Sequence, residues 1–452
     1  METSFTFMDL INKVSGWIWG PPLLVLIVGT GIFLTIRLGF LQITTLPYAL
    51  KLAFSKHQDK KSEGDISHYQ ALMTALAATV GTGNIVGVAT AVVLGGPGAV
   101  FWMWLSALFG MATKYAEAIL AVKYRVEDEN GEMSGGPMYY LERGLGQKWL
   151  GVLFALFGAI AAFGIGNMVQ SNSISDVVEA TFHIPTWITG AVLTIFTALV
   201  ILGGIKSIGR VTAFFVPIMA IFYLVAGLIV MIMNISEVPA AIGLIFSDAF
   251  TGSAVAGGAI GAVIRWGVAR GVFSNEAGLG SAPIAAAAAK TDYPARQALV
   301  SMTQVLIDTI VICSITGITL VMGGIYKDGL VGAELTSATF EQFIGSPGPL
   351  IVAIGLVFFA FSTILGWSYY GEKCFSYLFG KATVKYYRLA FVAAVFIGAV
   401  STLDAVWGIA DIMNGLMAFP NLIGLLGLSG VVVHETRKFR KVMQEEKMRQ
   451  NS

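Results

Sequence analysis

The sequence predicts an all-α integral membrane protein with about eleven transmembrane helices: one N-terminal helix, then a five-plus-five inverted repeat containing two broken helices. Three observations lead there. Apolar residues make up 56% of the 452-residue chain and charged residues only 12%, against about 25% in an ordinary globular protein. No charged residue occurs from Gln70 to Thr113, a stretch longer than one bilayer crossing requires. The 53 glycines are scattered through apolar runs, as in closely packed membrane helices. The 28 basic and 27 acidic side chains nearly cancel. That excludes a nucleic-acid partner, which needs a strong basic field, and the low polarity excludes a disordered chain. Cys313 and Cys374 both lie in apolar segments and cannot make a disulfide framework or a four-ligand zinc site.

The spans are expected at 17–37, 69–94, 98–123, 149–180, 186–204, 210–233, 254–289, 296–325, 348–379, 384–403 and 406–433, reading between charge clusters and Gly/Pro punctuation. The first lacks a preceding basic region and a small-residue cleavage site, so it reads as a retained span. Gly95-Gly96-Pro97-Gly98 separates the second span from the third by a tight turn. Loops on one side carry Arg37, Lys51, Lys56, Lys60, Lys61, Lys123, Arg125, Arg143, Lys148, Lys206, Arg210, Lys290, Arg296, Lys373, Lys381, Lys385 and Arg388, and a basic tail follows. The other side has only Lys13 and Lys327. By the positive-inside rule the N-terminus is outside and the C-terminus cytoplasmic, in the plasma membrane of the cell. The expected organisation is an N-terminal extra helix in 1–40, a cytoplasmic linker at 41–67, a first five-helix unit at 68–233, a second at 254–433 and a cytoplasmic tail at 434–452. Linker and tail both read as solvated, the tail within reach of anionic headgroups.

The leading helix of each five is unusual. Span 69–94 carries Thr79-Val80-Gly81-Thr82-Gly83-Asn84, and span 254–289 carries Gly271-Val272-Phe273-Ser274-Asn275-Glu276-Ala277-Gly278. Glycine costs a helix interior about 1 kcal/mol, and Asn and Ser compete for backbone bonds. Both places are therefore expected to unwind. Five crossings is an odd number, so successive units are inverted. Paired interrupted helices at matching positions point to a transporter's binding site. Freed amides and half-helix N-termini suit a carboxylate, while freed carbonyls suit an ammonium or a sodium ion. The competing reading is that these glycines only let helices pack closely, as the Gly83/Gly87 spacing would.

Gly95-Gly96-Pro97-Gly98-Ala99-Val100-Phe101-Trp102-Met103-Trp104-Leu105, continuing to Gly110-Met111-Ala112-Thr113, resembles the signature of the alanine/glycine:cation symporter family, the sodium:alanine symporters. The Gly81–Asn84 and Ser274–Gly278 segments are similar to that family too. The resemblance implies sodium-coupled uptake of small neutral amino acids, alanine and glycine, by alternating access on a leucine-transporter-like fold. It implies a co-transported sodium ion and no organic cofactor. It further implies a substrate carboxylate on the Thr82 and Gly83 amides with Gly81 making room, and an ammonium facing carbonyls near Thr79 and Phe273, helped by Ser274 or Asn275. The sodium ligands implied are the Ala77 and Val80 carbonyls with Ser362 and Thr363, in the run from Phe359. Asn84 matches a ligand of a second sodium site whose other ligands are not evident, so one sodium per substrate is expected. The leucine-transporter fold uses a tyrosine where span 149–180 offers Asn167 and Gln170; Gln170 is either a substrate contact or an interhelical hydrogen bond. Trp367 and Phe273 either cap a small side-chain pocket or simply pack.

Arg265, Arg270, Glu276, Asp308 and Asp411 are intramembrane charges, expected to serve as gate, proton relay or structural pair. A relay would make the carrier proton-coupled. A passive channel or uniporter is the other alternative, since channels also use broken helices. An enzyme is not expected: His57, His68, His183 and His434 offer no pair at ligand spacing. The expected partners are the small-molecule substrate and the lipid bilayer, with the chain working as a monomer.

Overall fold

The computed structural model describes residues 6–55, 61–129, 131–251 and 259–451. The expected start of the seventh span at 254–258 lies outside the described residues, as does the linker stretch at 56–60 that holds Lys56, His57 and Lys60. Eight helical segments are long and apolar enough to cross a membrane: Phe7–Arg37, Gly98–Lys123, Lys148–Phe182, Gly204–Met233, Pro294–Gly323, Pro347–Phe379, Lys381–Val400 and Asp404–Gly427. A ninth is the bent pair His68–Thr79 and Gly83–Gly95, whose halves meet at 54°. Thr186–Ile201 is a shorter apolar helix. Ala259–Asn275 and Pro283–Ala287 are separated by chain that leaves the helix between them. Every expected span is thus represented by a helix or helix pair in the expected order. Large apolar side chains such as Val25, Leu199, Phe214 and Ile232 are exposed on the outside, where lipid would take them.

Several elements differ from expectation. The first helix begins at Phe7, ten residues before the expected start. The Thr6 side chain accepts from the Asp9 amide while the Asp9 carboxylate accepts from the Thr6 amide, a reciprocal cap that starts a polar helix turn ahead of the apolar run. That helix ends at Ile18, and Pro21–Arg37 continues it after Trp19 and Gly20. Between the expected spans lie two further helices, Glu237–Thr251 and Gly332–Ile344, too short or too polar to read as crossings. The linker contains the helix Leu46–Ala53.

The tail is not a solvated extension. Ser429–Asn451 is a helix whose Val432 and Phe439, seven residues apart, are buried. Lys123 Nζ bonds Glu435 Oε1 at 2.7 Å and Arg296 Nη2 bonds Glu446 Oε1 at 2.5 Å. Its high charge hides an apolar stripe only two helical turns long. His68 is buried and hydrogen-bonded to Gln297.

Three helices carry wider turns that matter for the site, at Gly83–Gly87 after the first break, at Gly164–Met168 in Lys148–Phe182 and at Leu306–Cys313 in Pro294–Gly323. Such π turns free a carbonyl from the regular ladder and re-aim the side chains around them. One end of the two broken helices is tied shut. Ile66 pairs with Ala289, the Asp65 amide donates to the Ala288 carbonyl at 2.8 Å, and the Lys290 amide donates to the Ile66 carbonyl at 2.8 Å. Arg125 clamps the same place, donating to the carbonyls of Ala287 at 3.0 Å, Ala289 at 2.7 Å and Glu63 at 2.8 Å. Burial lowers the Arg125 guanidinium from its ordinary value, while the Glu63 and Asp65 carboxylates oppose that shift.

Candidate functional site

The first broken helix stops at Thr79 and resumes at Gly83. The Val80 amide makes the last helical bond, 2.8 Å to the Leu76 carbonyl. Beyond it, side chains replace the helix: the Gly81 amide donates to Asn84 Oδ1 at 2.9 Å and the Thr82 amide to Gln170 Oε1 at 3.4 Å. The second contact is long for an N–H···O bond, which centres near about 2.9 Å, so the Thr82 amide is weakly held. Neither glycine has a positive φ. They serve close approach instead. A Cβ on Gly81 would collide with Thr363 Oγ1, and one on Gly83 would lie 3.2 Å from Ser274 Cα and 3.4 Å from the Phe273 ring.

The second break falls later than the sequence suggested. Gly271, Ser274 and Asn275 remain helical, and the chain turns out at Glu276, Gly278 and Gly280, with φ of 57°, 96° and 87°. Gly271 is a packing glycine, since a Cβ there would stand 2.9 Å from Ser106 Oγ.

Five oxygens converge beside the first break. Ser362 Oγ lies 3.2 Å from the Ala77 carbonyl, 3.3 Å from that of Val80 and 2.8 Å from that of Phe359. Thr363 Oγ1 lies 3.4 Å from the Val80 carbonyl and 3.0 Å from that of Phe359. Two hydroxyl protons therefore face three carbonyl oxygens across five contacts, which leaves surplus lone pairs in a buried place. All five residues are buried. Such an oxygen-rich cluster has the donor chemistry that a hard cation takes.

The two breaks are joined through the π turn of Pro294–Gly323. Asp308 Oδ1 accepts from Asn84 Nδ2 at 2.9 Å, and its Oδ2 accepts from Ser274 Oγ at 2.8 Å and Thr309 Oγ1 at 2.9 Å. Asn275 Nδ2 donates to Thr309 Oγ1 at 3.1 Å. Gln304 Nε2 bridges Thr79 Oγ1 at 3.0 Å and the Asn275 carbonyl at 3.2 Å. Thr316 Oγ1 donates to the Asn84 carbonyl at 2.7 Å. Gln304, Thr309 and Thr316 were not read as site residues, and Asp308 was read only as a gate, proton relay or structural pair. The available signal was the spacing of Gln304 and Asp308, four residues apart within one span.

Gln170 meets the first break, with Nε2 3.2 Å from Thr82 Oγ1 and 2.9 Å from the Ile165 carbonyl. Asn167, its alternative, turns away to the Phe391 carbonyl. Trp367 is buried over Gly166, and its Nε1 donates to Glu276 Oε1 at 2.9 Å. Glu276 also accepts from Ser281, while Lys114 Nζ donates to the Glu276 carbonyl at 3.1 Å. Glu117 accepts from the Gly278 amide at 3.0 Å and from Asn421 Nδ2 at 2.7 Å. This polar web holds the turn after the second break. Phe273, Arg265, Arg270 and Asp411 lie at the other end, around a cavity of about 210 Å³.

Residues 4–452 match the sodium:alanine symporter family. The chain is 64% identical to the sodium/alanine symporter AgcS of Methanococcus maripaludis, over 97% of this chain and 99% of that one. It is 38% identical to the amino-acid carrier protein AlsT of Bacillus subtilis, over 96% and 92%. Among solved structures it resembles MhsT in complex with L-phenylalanine, with a TM-score of 0.56 and 14% identity over 83% of this chain and 98% of that one. A manganese transporter of Eremococcus coleocola gives a TM-score of 0.51 at 13% identity over 83% and 82%. At such identity the likeness bears on fold alone, and the fold is that of the leucine-transporter-like carriers. A multi-pass chain with two broken helices crossing at a buried polar centre, matched along nearly its whole length, is a membrane transporter and belongs to the sodium:alanine symporter family.

Proposed function

We propose that the protein is a secondary active transporter that carries alanine and glycine into the cell with sodium, by alternating access around the two breaks. The observation that carries this reading is the convergence of Ser362 and Thr363 on the Ala77 and Val80 carbonyls. Sodium bound there, with Phe359 as the fifth oxygen, would fix the first broken helix against Pro347–Phe379. Substrate would then meet amides already held in place. Its carboxylate would displace Gln170 from the Thr82 amide and take the Gly83 amide beside it. Its ammonium would face the carbonyls near Thr79 and Phe273, within reach of Ser274 and Asn275. Asn84 holds Gly81 in the shape this requires. Gly83, Phe273 and Trp367 leave little room, which favours a methyl group or hydrogen as the side chain.

Residues 68–233 and 254–433 act as the two inverted units, one rocking against the other. The basic loops lie in the cytoplasm, the N-terminus outside. In that frame the Ile66–Ala289 pairing and the Arg125 clamp close the inner side, while the cavity above Phe273 faces outward. The name of the Methanococcus relative supports alanine as a substrate.

Purified wild-type protein in liposomes should accumulate labelled alanine under an inward sodium gradient, and Thr363→Ala should do so only at higher sodium. Equilibration without accumulation under sodium, potassium or proton gradients would replace the symporter by a passive pathway. Accumulation under a proton gradient alone would remove sodium from the reading.

A further inference from the structure

The helix Pro21–Arg37, which belongs to neither repeat, touches Gly98–Lys123 closely at Gly31, where a Cβ would stand 3.0 Å from Phe109 Cβ and from the Phe109 carbonyl oxygen. At Gly29 a Cβ would meet nothing within 4 Å. The two helices part there around a groove of about 290 Å³, and Ile264 and Val268, one turn apart on the second broken helix, form its third wall. That wall is already at closest approach to Gly98–Lys123, since a Cβ on Gly267 would lie 2.5 Å from the Ala99 carbonyl oxygen. Trp102 stands at one end of the groove, its Nε1 donating to the Ala249 carbonyl at 3.0 Å, and Phe109 stands at the other.

The chemistry of the groove is uniform. Every lining side chain is hydrocarbon except those of Trp102 and Ser106, and Ser106 Oγ donates to the Met103 carbonyl at 2.9 Å. With both polar groups engaged, neither water nor a polar solute finds the partners it needs. The groove is continuous with the lipid-facing surface, because Val25 on its rim is 70% exposed and Ile32 is 37% exposed. From Trp102 to Phe109 the helix rises about 10 Å, so the groove lies within one leaflet of a hydrocarbon core about 30 Å thick. We infer that it is a binding site for one acyl chain of a membrane phospholipid, held between the N-terminal extra span and the second broken helix. A chain lying there supplies the van der Waals partners that the three helices do not supply one another. It packs on Ile264 and Val268 in the helix whose last turns carry Phe273 and Ser274, and so braces that helix against the extra span. The site stands on the groove itself; only its assignment to the outer leaflet rests on the reading above, which puts the basic loops in the cytoplasm.

The test is photocrosslinking of the full-length protein in liposomes with a phosphatidylcholine whose acyl chain bears a diazirine, followed by peptide mapping. Label on residues 24–32 and 102–109 is expected to exceed several-fold that on residues 210–233, where Phe214 and Ile232 face lipid. Gly29→Phe places a ring in the groove and should lose the excess at 102–109 while keeping the label at 210–233. Ile264→Trp fills the groove from the opposite wall and should do the same, and thermal melting reports that each variant is folded. Equal labelling of the groove and of 210–233 in wild type overturns the site, as does an excess that both variants retain. Val25→Cys, oxidised in the membrane, should remain monomeric, Cys313 and Cys374 being buried; a disulfide-linked dimer would put a second copy of the chain on the groove and overturn the lipid. The crosslink is read without transport, so a failure of the symporter reading leaves this result intact, and loss of the crosslink leaves sodium-driven uptake to be judged on its own.

Discussion

Asn84 of the first broken helix donates its side-chain amide to Asp308 Oδ1 at 2.9 Å, while its oxygen accepts the Gly81 amide at 2.9 Å. One residue thus fixes the unwound loop at Gly81 and ties it to the carboxylate that also receives Ser274, from the last helical turn before the second break. Both interruptions share a single buried acceptor, and that couples their positions.

Replacing that acceptor should therefore disturb both breaks together. Asp308→Ala leaves the Asn84, Ser274 and Thr309 donors without their partner, each at a cost of about 1–3 kcal/mol when buried. Alanine uptake should fall below detection and the melting temperature should drop by several degrees. Asp308→Asn, which keeps an oxygen for some of these donors, should recover stability more than uptake. Unaltered transport by Asp308→Ala would separate the carboxylate from the site.

Removing one oxygen from the cluster at Ser362 and Thr363 should weaken sodium more than the fold. Thr363→Ala is expected to raise the sodium concentration for half-maximal uptake about tenfold, a change of about 1.4 kcal/mol. Thr363→Ser, which retains the hydroxyl, should stay close to wild type. A sodium titration of uptake in the two variants decides the point.

Gly81 is a stricter position than Gly87. A Cβ at Gly81 would meet Thr363 Oγ1, whereas one at Gly87 meets nothing within 4 Å. Gly81→Ala should cost about 1–3 kcal/mol through overpacking and abolish uptake; Gly87→Ala should do neither. Combining Gly81→Ala with Thr363→Ala should restore thermal stability, with uptake returning only at the raised sodium of Thr363→Ala, because the space returns without the oxygen.

Phe273 closes the inner pocket in the proposed function, so Phe273→Ala should admit larger side chains. Competition against labelled alanine by leucine and phenylalanine should become measurable in that variant. Unchanged selectivity would remove the ring from the pocket wall.

Arg125 bonds three carbonyls where the ends of the broken helices meet, the side proposed to face the cytoplasm. Arg125→Gln should raise the labelling rate of a cysteine placed at Ala287 by a membrane-impermeant thiol reagent applied from the inner side. Cys313 and Cys374 are both buried, so background labelling is low. An unchanged rate would mean that the backbone pairing at Ile66 and Ala289 suffices.

What the sequence determined alone was everything that follows from composition and local pattern. Long charge-free runs require helices, because lipid offers no partner for free backbone groups. Glycine with Asn at Gly81–Asn84 weakens a helix wherever it occurs, and that break was legible. The pairing of Ser362 and Thr363 with the Ala77 and Val80 carbonyls came from a resemblance to a family and not from the residues themselves. The second break was misplaced by local reading, since Gly271 and Asn275 look disruptive but are held in the helix by packing on Met103 and Ser106 and by Thr309 and Gln304. The partners of each buried charge were decided only by the tertiary structure. Asp308, Asp411 and Glu276 each carry the same carboxylate in an apolar context. One joins the two breaks, one lines the cavity under the N-terminal helix, and one holds Trp367 and Ser281. A carboxylate's role depends on which donors reach it, and donors hundreds of residues away in the chain are brought there only by the folded packing.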